Sequence, residues 1–93
     1  MDLYQTATDA TGKIVEEKTD SYDISINKLC TALRKKTEWL DNRHLIDLKR
    51  HGTIIVQRGQ FKVRLEIRNA GQHEFTGRVI DYTTPSDDIA QGG

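Results

Sequence analysis

The chain is poor in the residues that mark disulfide scaffolds, metal knuckles and membrane spans. It contains one cysteine, Cys30, among 93 residues, which excludes an internal disulfide and a metal site built from several cysteines. No run approaches the roughly 18 consecutive apolar residues of a membrane span. No basic segment followed by an apolar one leads from Met1, so no secretory signal is predicted. We expect a cytoplasmic location without membrane contact.

The chain also lacks a net charge, but its charges are unevenly distributed. Residues 1–27 hold two basic groups against six acidic ones, residues 28–68 hold eleven against four, and residues 69–93 hold one against four. Clustered Lys and Arg attract anionic partners even when the total charge is neutral. The alternative is that the acidic ends fold back and neutralise the basic middle.

Length and composition predict one small domain over 1–93. Charged residues make up 30% of the chain and hydrophobic residues 35%, but the apolar residues recur with clear periods, which separates the chain from the disordered class. A domain of this size buries about 60 to 65% of its unfolded surface, so its core is small. The predicted parts are an acidic hairpin over 1–22, a helical segment over 23–51, antiparallel strands over 53–84 and a mobile tail over 85–93.

A helical period follows the predicted hairpin. Apolar or small residues recur at i, i+3, i+4, i+7, i+11 and i+14, which is one face of a helix; they are Ile26, Leu29, Cys30, Leu33, Thr37 and Leu40. Asp23 or Ser25 is a suitable N-cap, and Gly52 is a suitable C-cap. Asp41-Asn42 makes a good stop and restart, so the pattern predicts either one long helix or two in tandem.

The clearest strand pattern runs from Phe61 to Arg68, where apolar and charged residues alternate throughout. An extended strand puts these apolar side chains on one face and the charged ones on the other. A run of β-branched residues predicts a strand over 53–57, with a tight turn at Arg58-Gly59. Residues 72–82 predict a third antiparallel strand with a bulge near Gly77. The fold class is therefore α+β in the order β-β-α-β-β-β, with the helical segment packed on a mostly antiparallel sheet.

No group of residues predicts catalysis, a cofactor or a metal. His44, Asp47 and His51 fall at i, i+3 and i+7 of the helical segment, but this spacing is not a recognised metal signature, and we expect helix-surface histidines. Cys30 lies on the apolar stripe, where desolvation raises a thiol pKa and leaves little thiolate, so we expect a buried core cysteine. The sequence therefore predicts a protein that is not an enzyme.

Basic residues of the helical segment and of the strands are the remaining candidates for a binding surface. The set includes one aromatic residue, Trp39, which can stack on a partner or anchor the rim of the surface. Its members are Arg34, Lys35, Lys36, Trp39, Arg43, Lys49, Arg50, Arg58, Lys62, Arg64 and Arg68. If consecutive elements bring these side chains onto one outward surface, that surface can dock an acidic partner. As an alternative, Trp39 fills the core, since a large ring in a small domain is usually buried.

Two functional hypotheses follow from this surface. The first is a regulator or inhibitor, of the kind that phages and mobile elements encode, which docks on a host protein or a nucleoprotein complex. The second is DNA or RNA binding through the basic 34–68 surface. The zero net charge favours the first, because dedicated nucleic-acid-binding domains are typically basic. Two free sheet edges also leave a homodimer open.

Overall fold

The computed structural model describes residues 1–69 and 79–82, which form a five-stranded mixed sheet and two helices. The strands are β1 (Asp2–Thr8), β2 (Ile14–Ser21), β3 (Thr53–Arg58), β4 (Phe61–Arg68) and β5 (Ile80–Tyr82), and the helices are α1 (Ile26–Lys36) and α2 (Asn42–His51). The predicted α+β class is confirmed. Among the described residues, no helix is long and apolar enough to cross a membrane.

The helical segment forms two helices in tandem, one of the two alternatives that the sequence left open. Ser25 caps α1, because its hydroxyl accepts a hydrogen bond from the Lys28 backbone N–H at 3.2 Å. After α1 the chain becomes extended at Thr37, and Asp41 caps the start of α2. Gly52 ends α2 with a φ of 81°, a left-handed conformation that glycine adopts without steric cost.

The order of strands in the sheet, β2-β1-β4-β3-β5, differs from the order along the chain. Of the predicted third antiparallel strand over 72–82, the described residues include β5, which pairs parallel with β3 rather than antiparallel with β4. The edge of β4 that a following hairpin strand would need is occupied by β1, which pairs with β4 from Asp2 to Thr8. The N-terminal strand thus joins two hairpins into one sheet, and β5 moves to the opposite edge.

One face of this sheet packs on the helices, and we name it the inner face. Val63, Leu65 and Ile67 of β4 belong to the same buried core as Leu29 of α1 and Leu48 of α2. Register and the two-residue alternation of strands place neighbouring inner-face residues of β1 and β3 beside them. The core is therefore a single layer between the helices and this inner face.

The other face, which we name the open face, carries the alternate residues of the strands. On β4 these are Lys62, Arg64, Glu66 and Arg68. This is the division of side chains that the alternation over Phe61–Arg68 predicts. The predicted bulge near Gly77, most of the predicted strand that contains it and the predicted tail over 85–93 lie outside the described residues.

Candidate binding cleft

The predicted basic residues divide between the two sides of the sheet. The helical layer carries Arg34, Lys35, Lys36, Arg43, Lys49 and Arg50, and the open face carries Lys62, Arg64 and Arg68. Arg58 has the parity of Val56 and therefore lies on the inner face. The helices and the charged residues of β4 thus have the sheet between them, so the structure does not bring these cations onto a single surface.

The open-face cations are partly neutralised by carboxylates. One oxygen of Glu66 lies 3.3 Å from an Arg68 guanidinium nitrogen and 3.7 Å from one of Arg64. The Arg68 guanidinium also lies 4.0 Å from the ring centroid of Tyr4. The Tyr4 hydroxyl donates a hydrogen bond to Glu17, and this bond raises the pKa of Tyr4. The N-terminal hairpin thus contacts Arg68 through the Tyr4 ring, whereas the ion pairs of Arg64 and Arg68 are with Glu66 of the basic middle itself. That the acidic ends neutralise the basic middle stays a prediction.

Trp39 and Arg58 form a stacked pair on the inner side of the sheet. The Arg58 guanidinium lies 4.7 Å from the Trp39 ring centroid. Trp39 belongs to the segment between α1 and α2 and is partly buried against the core. It is therefore neither a fully buried core residue nor a free platform, because one side of the indole packs on the protein and an arginine lies over the ring.

Two adjoining grooves share Arg58, and together we name them the cleft. The apolar groove has a volume of about 520 Å³ and is lined by Ala7, Val15, Glu16, Arg58, Gly59, Phe61 and Val63. The basic groove has a volume of about 400 Å³ and is lined by Gln5, Lys18, Lys36, Thr37, Glu38, Trp39 and Arg58. The cleft thus runs from apolar strand residues to the segment that connects the helices.

Phe61 and Val15 leave much apolar surface uncovered in the apolar groove. Phe61 is 43% exposed and Val15 is 50% exposed, although Phe61 has the same strand parity as the buried Val63. The helix α2 packs on β3 and β4, but Phe61, at the start of β4, is not buried by it. The alternation over Phe61–Arg68 predicts all four apolar residues in the core, and this is wrong for Phe61.

The basic groove has more cations than carboxylates. Lys18, Lys36 and Arg58 line it, against one carboxylate, Glu38. Lys18 lies 4.0 Å from Asp20, at the limit of an ion pair, and both side chains are about half exposed, where such pairs contribute little. The groove therefore favours an anionic group beside the Trp39 ring.

A third groove lies between the helices. It has a volume of about 310 Å³ and is lined by Asn27, Cys30, Thr31, Arg34, Asn42, Leu45, Ile46 and Lys49. Cys30 is buried here, as predicted. Its Sγ lies 3.8 Å from the Leu45 carbonyl oxygen, and burial raises its pKa. A thiol in this state is a core group rather than a nucleophile.

His44 has a structural position rather than a surface one. It is 8% exposed, its Nδ1 accepts a hydrogen bond from the Asp41 backbone N–H, and its own backbone N–H donates to the Asp41 carboxylate, both at 3.1 Å. Its ring meets Tyr82 edge-on at 4.4 Å. The expectation of a surface histidine is wrong here, because the ring completes a capping box at the start of α2. Within 1–69 and 79–82, no cluster of three metal-ligating side chains occurs.

Two features of the cleft could not be found from the sequence. Phe61 fits the core pattern of its strand, and Val15 belongs to a hairpin with few apolar residues, so neither indicates a binding groove. The signal for Trp39 and Arg58 was their residue type alone.

The exposed edge strand β2 carries Glu16, Glu17, Lys18 and Asp20, and charges on an edge disfavour strand pairing with another copy.

Comparisons with protein families, curated proteins and solved structures find no match to this chain. An assignment of function therefore depends on the geometry and charge of the grooves.

Proposed function

We propose that this chain is a binding protein without catalytic chemistry, and that it holds a segment of a partner protein in the cleft. The observation that carries the proposal is the exposed Phe61 ring in a concave surface that also contains the Trp39–Arg58 stack. Trp, aromatic and Arg side chains in partly desolvated pockets supply much of the energy of protein interfaces. Binding without chemistry makes the chain a regulator or inhibitor of its partner.

The two halves of the cleft select the chemistry of the partner segment. The apolar groove suits an aliphatic or aromatic side chain, because Phe61, Val15 and Val63 line it. The basic groove suits a carboxylate, because Lys18, Lys36 and Arg58 outnumber Glu38 there. We therefore propose an extended partner segment in which an apolar residue stands near an aspartate or glutamate.

The exposed area of Phe61 sets the size of its contribution. With 43% of its surface exposed, the side chain leaves roughly 80 Å² to be covered, which stabilises a complex by about 2 kcal/mol. A loss of this size weakens affinity about 30-fold.

A peptide-display library with randomised extended segments tests the proposal. Selection on the wild-type protein is expected to enrich segments with an apolar residue near an acidic one. Phe61→Ser should weaken the binding of selected peptides about 30-fold, and Arg58→Glu should weaken it by reversing the charge shared by both grooves. Ile46→Ser is the matched control, because Ile46 is 48% exposed but lines the groove between the helices.

Two results would refute the proposal. One is the absence of any enriched class of peptide. The other is an equal loss of peptide affinity in the Ile46→Ser control, because a general loss of apolar surface would then explain the effect of Phe61→Ser. Circular dichroism of each variant establishes that the fold is retained.

Nucleic-acid binding is a second candidate, and the helical layer favours it. In the part of the chain that the structure describes, no carboxylate lies within 4.0 Å of the following helical cations: Lys28, Arg34, Lys35, Lys36, Arg43, Lys49 and Arg50. Arg34 and Lys49 also line the groove between the helices, and none of the described residues that line it is acidic. Phosphate groups are suitable partners for such cations.

Oligonucleotide binding measured against salt concentration distinguishes this candidate from the first. It predicts a linear fall of log affinity with log salt, by about 0.7 to 0.9 for each phosphate neutralised. Arg34→Glu and Lys49→Glu should then reduce oligonucleotide binding and leave peptide binding unchanged. An affinity that is insensitive to salt would contradict it.

A further inference from the structure

A small pocket that shares no lining residue with the cleft lies where α2 passes into β3. It has a volume of about 210 Å³ and is lined by His51, Gly52, Thr53, Arg64, Glu66, Ile67 and Val79. Thr53 lies opposite Glu66 and Arg64 lies opposite Ile55 in the β3–β4 register. Thr53 and Arg64 are therefore diagonal neighbours on the open face.

Two buried polar atoms of this pocket have no hydrogen-bond partner within the described residues. They are the Thr53 Oγ1 and the Arg64 Nε. Thr53 is 7% exposed, so its hydroxyl has lost contact with water without gaining a partner among residues 1–69 and 79–82. Buried polar groups in native proteins are nearly always paired, because an unpaired one loses its hydrogen bonds to water without gaining others. Such an arrangement indicates that a further group completes the pocket.

The charges around the pocket also leave room for an anion. Glu66, a carboxylate of the pocket lining, is shared between two guanidinium groups, at 3.3 Å from Arg68 and 3.7 Å from Arg64. Among the described residues, the Arg64 Nε has no hydrogen-bond partner of its own beside this shared ion pair. The Gly52 backbone N–H is already bonded to the Leu48 carbonyl oxygen, and the unpaired buried side-chain atoms of the described pocket lining are the Thr53 Oγ1 and the Arg64 Nε.

We infer that this pocket binds a carboxylate, one oxygen of which accepts a hydrogen bond from the Thr53 hydroxyl and the other from the Arg64 Nε–H. Both atoms are donors, and a carboxylate is a planar acceptor that can take one bond at each oxygen. The ligand adds a negative charge beside Arg64, whose ion pair with Glu66 is shared with Arg68. This site is separate from the cleft and does not depend on the proposed function.

Titration of the protein with acetate, followed by NMR at constant ionic strength, tests the inference. Saturable shifts are expected at the backbone amides of Thr53 and Arg64, whereas acetamide, the neutral analogue, should give none. A parallel titration with a capped glutamate residue distinguishes the two possible sources of the carboxylate, a free small acid and an acidic side chain of a partner protein. Binding of acetate alone indicates a free small acid, and binding of both indicates that an acidic side chain of a partner also fits.

Variants identify the two donors. Thr53→Val removes the hydroxyl with little change of shape, and Arg64→Lys keeps the charge but removes Nε. Each should raise the Kd for acetate about tenfold or more, the effect of losing a hydrogen bond to a charged group. Thr53→Ser keeps the hydroxyl and should retain binding. Lys62→Gln is the matched control, since Lys62 lies on the same face of β4 but does not line the pocket, and it should change the Kd less than threefold.

Three results would overturn the inference. They are the absence of saturable acetate binding to the wild-type protein, equal binding of acetamide, and a loss of affinity in Lys62→Gln as large as that in Thr53→Val. The last would show a general charge effect rather than a defined site.

Discussion

Removal of the Asp41 side chain tests how α2 is held. Asp41 is the N-cap of α2, and it exchanges two hydrogen bonds with His44, each 3.1 Å long. The helix behind this cap carries Leu45 and Leu48 into the core, and Leu48 is fully buried. Loss of the cap therefore weakens the start of an element on which much of the small core depends.

The expected cost of Asp41→Ala is about 1 kcal/mol of unfolding free energy, within the range of about 0.5 to 2 measured for N-caps. In a domain of this size, that corresponds to a fall in Tm of about 4 to 8 °C. Urea denaturation followed by circular dichroism measures the change. Asp41→Asn keeps an oxygen that can accept the His44 N–H bond and should lie within a few tenths of a kcal/mol of the wild type.

The difference in stability between the wild type and Asp41→Ala should depend on pH, with a defined sign. The hydrogen bond from the His44 backbone N–H, with smaller effects of nearby positive charge, lowers the pKa of Asp41 below its ordinary value of 3.8. A carboxylate with a lowered folded-state pKa stabilises the protein fully above its unfolded-state pKa, and this stabilisation disappears as the pH falls through the folded-state pKa. The difference between wild type and Asp41→Ala should thus shrink below about pH 4.

Two results would refute this account of the cap. One is an Asp41→Ala variant as stable as the wild type at pH 7. The other is an Asp41→Asn variant that loses as much stability as Asp41→Ala, because the loss would then follow the charge rather than the hydrogen bond.

Three further predictions concern single side chains elsewhere. Arg58→Gln uncovers the ring of Trp39, the chain's one tryptophan, so its fluorescence should shift to longer wavelength and be quenched more by acrylamide; an unchanged spectrum would argue against the stack. Thr53→Val removes an unpaired buried hydroxyl and should raise the free energy of unfolding by about 1 kcal/mol in acetate-free buffer, whereas a loss of stability would mean that the hydroxyl has a partner in the free protein. The Cys30 thiol, whose pKa is raised by burial, should react with Ellman's reagent at pH 8 at least about tenfold more slowly in native protein than in urea; equal rates would place it at the surface.

The sequence predicted much of the local structure because local signals determine it. Alternation of apolar and charged residues located the strand Phe61–Arg68 with its observed bounds. The helical stripe predicted the buried residues of α1, Cys30 among them, and Gly52 marked the end of α2. The sequence left one helix or two open, because Asp41 can lie inside a helix or cap one. The structure decides for a cap through the hydrogen bonds between Asp41 and His44.

The candidate sites were much less accessible from the sequence. Trp39 and Arg58 stood among the predicted binding residues, but the pattern placed Phe61 in the core and gave no sign of Val15. A strand pattern states which face a side chain takes, and it does not state how far along the strand the helices extend. The exposure of Phe61 depends on that extent, and so does the cleft.

By itself, the sequence determined which segments become helix or strand and which side chains share a face, since these follow from the periods of a few neighbouring residues. The tertiary structure decided the rest. It inserted β1 beside β4, moved β5 to the far edge, and separated the cations of β4 from those of the helices by the thickness of the sheet. These outcomes depend on contacts between residues as far apart in sequence as Asp2 and Arg68, because strand pairing is decided by the competition of whole strands for one edge, and no local pattern records that choice.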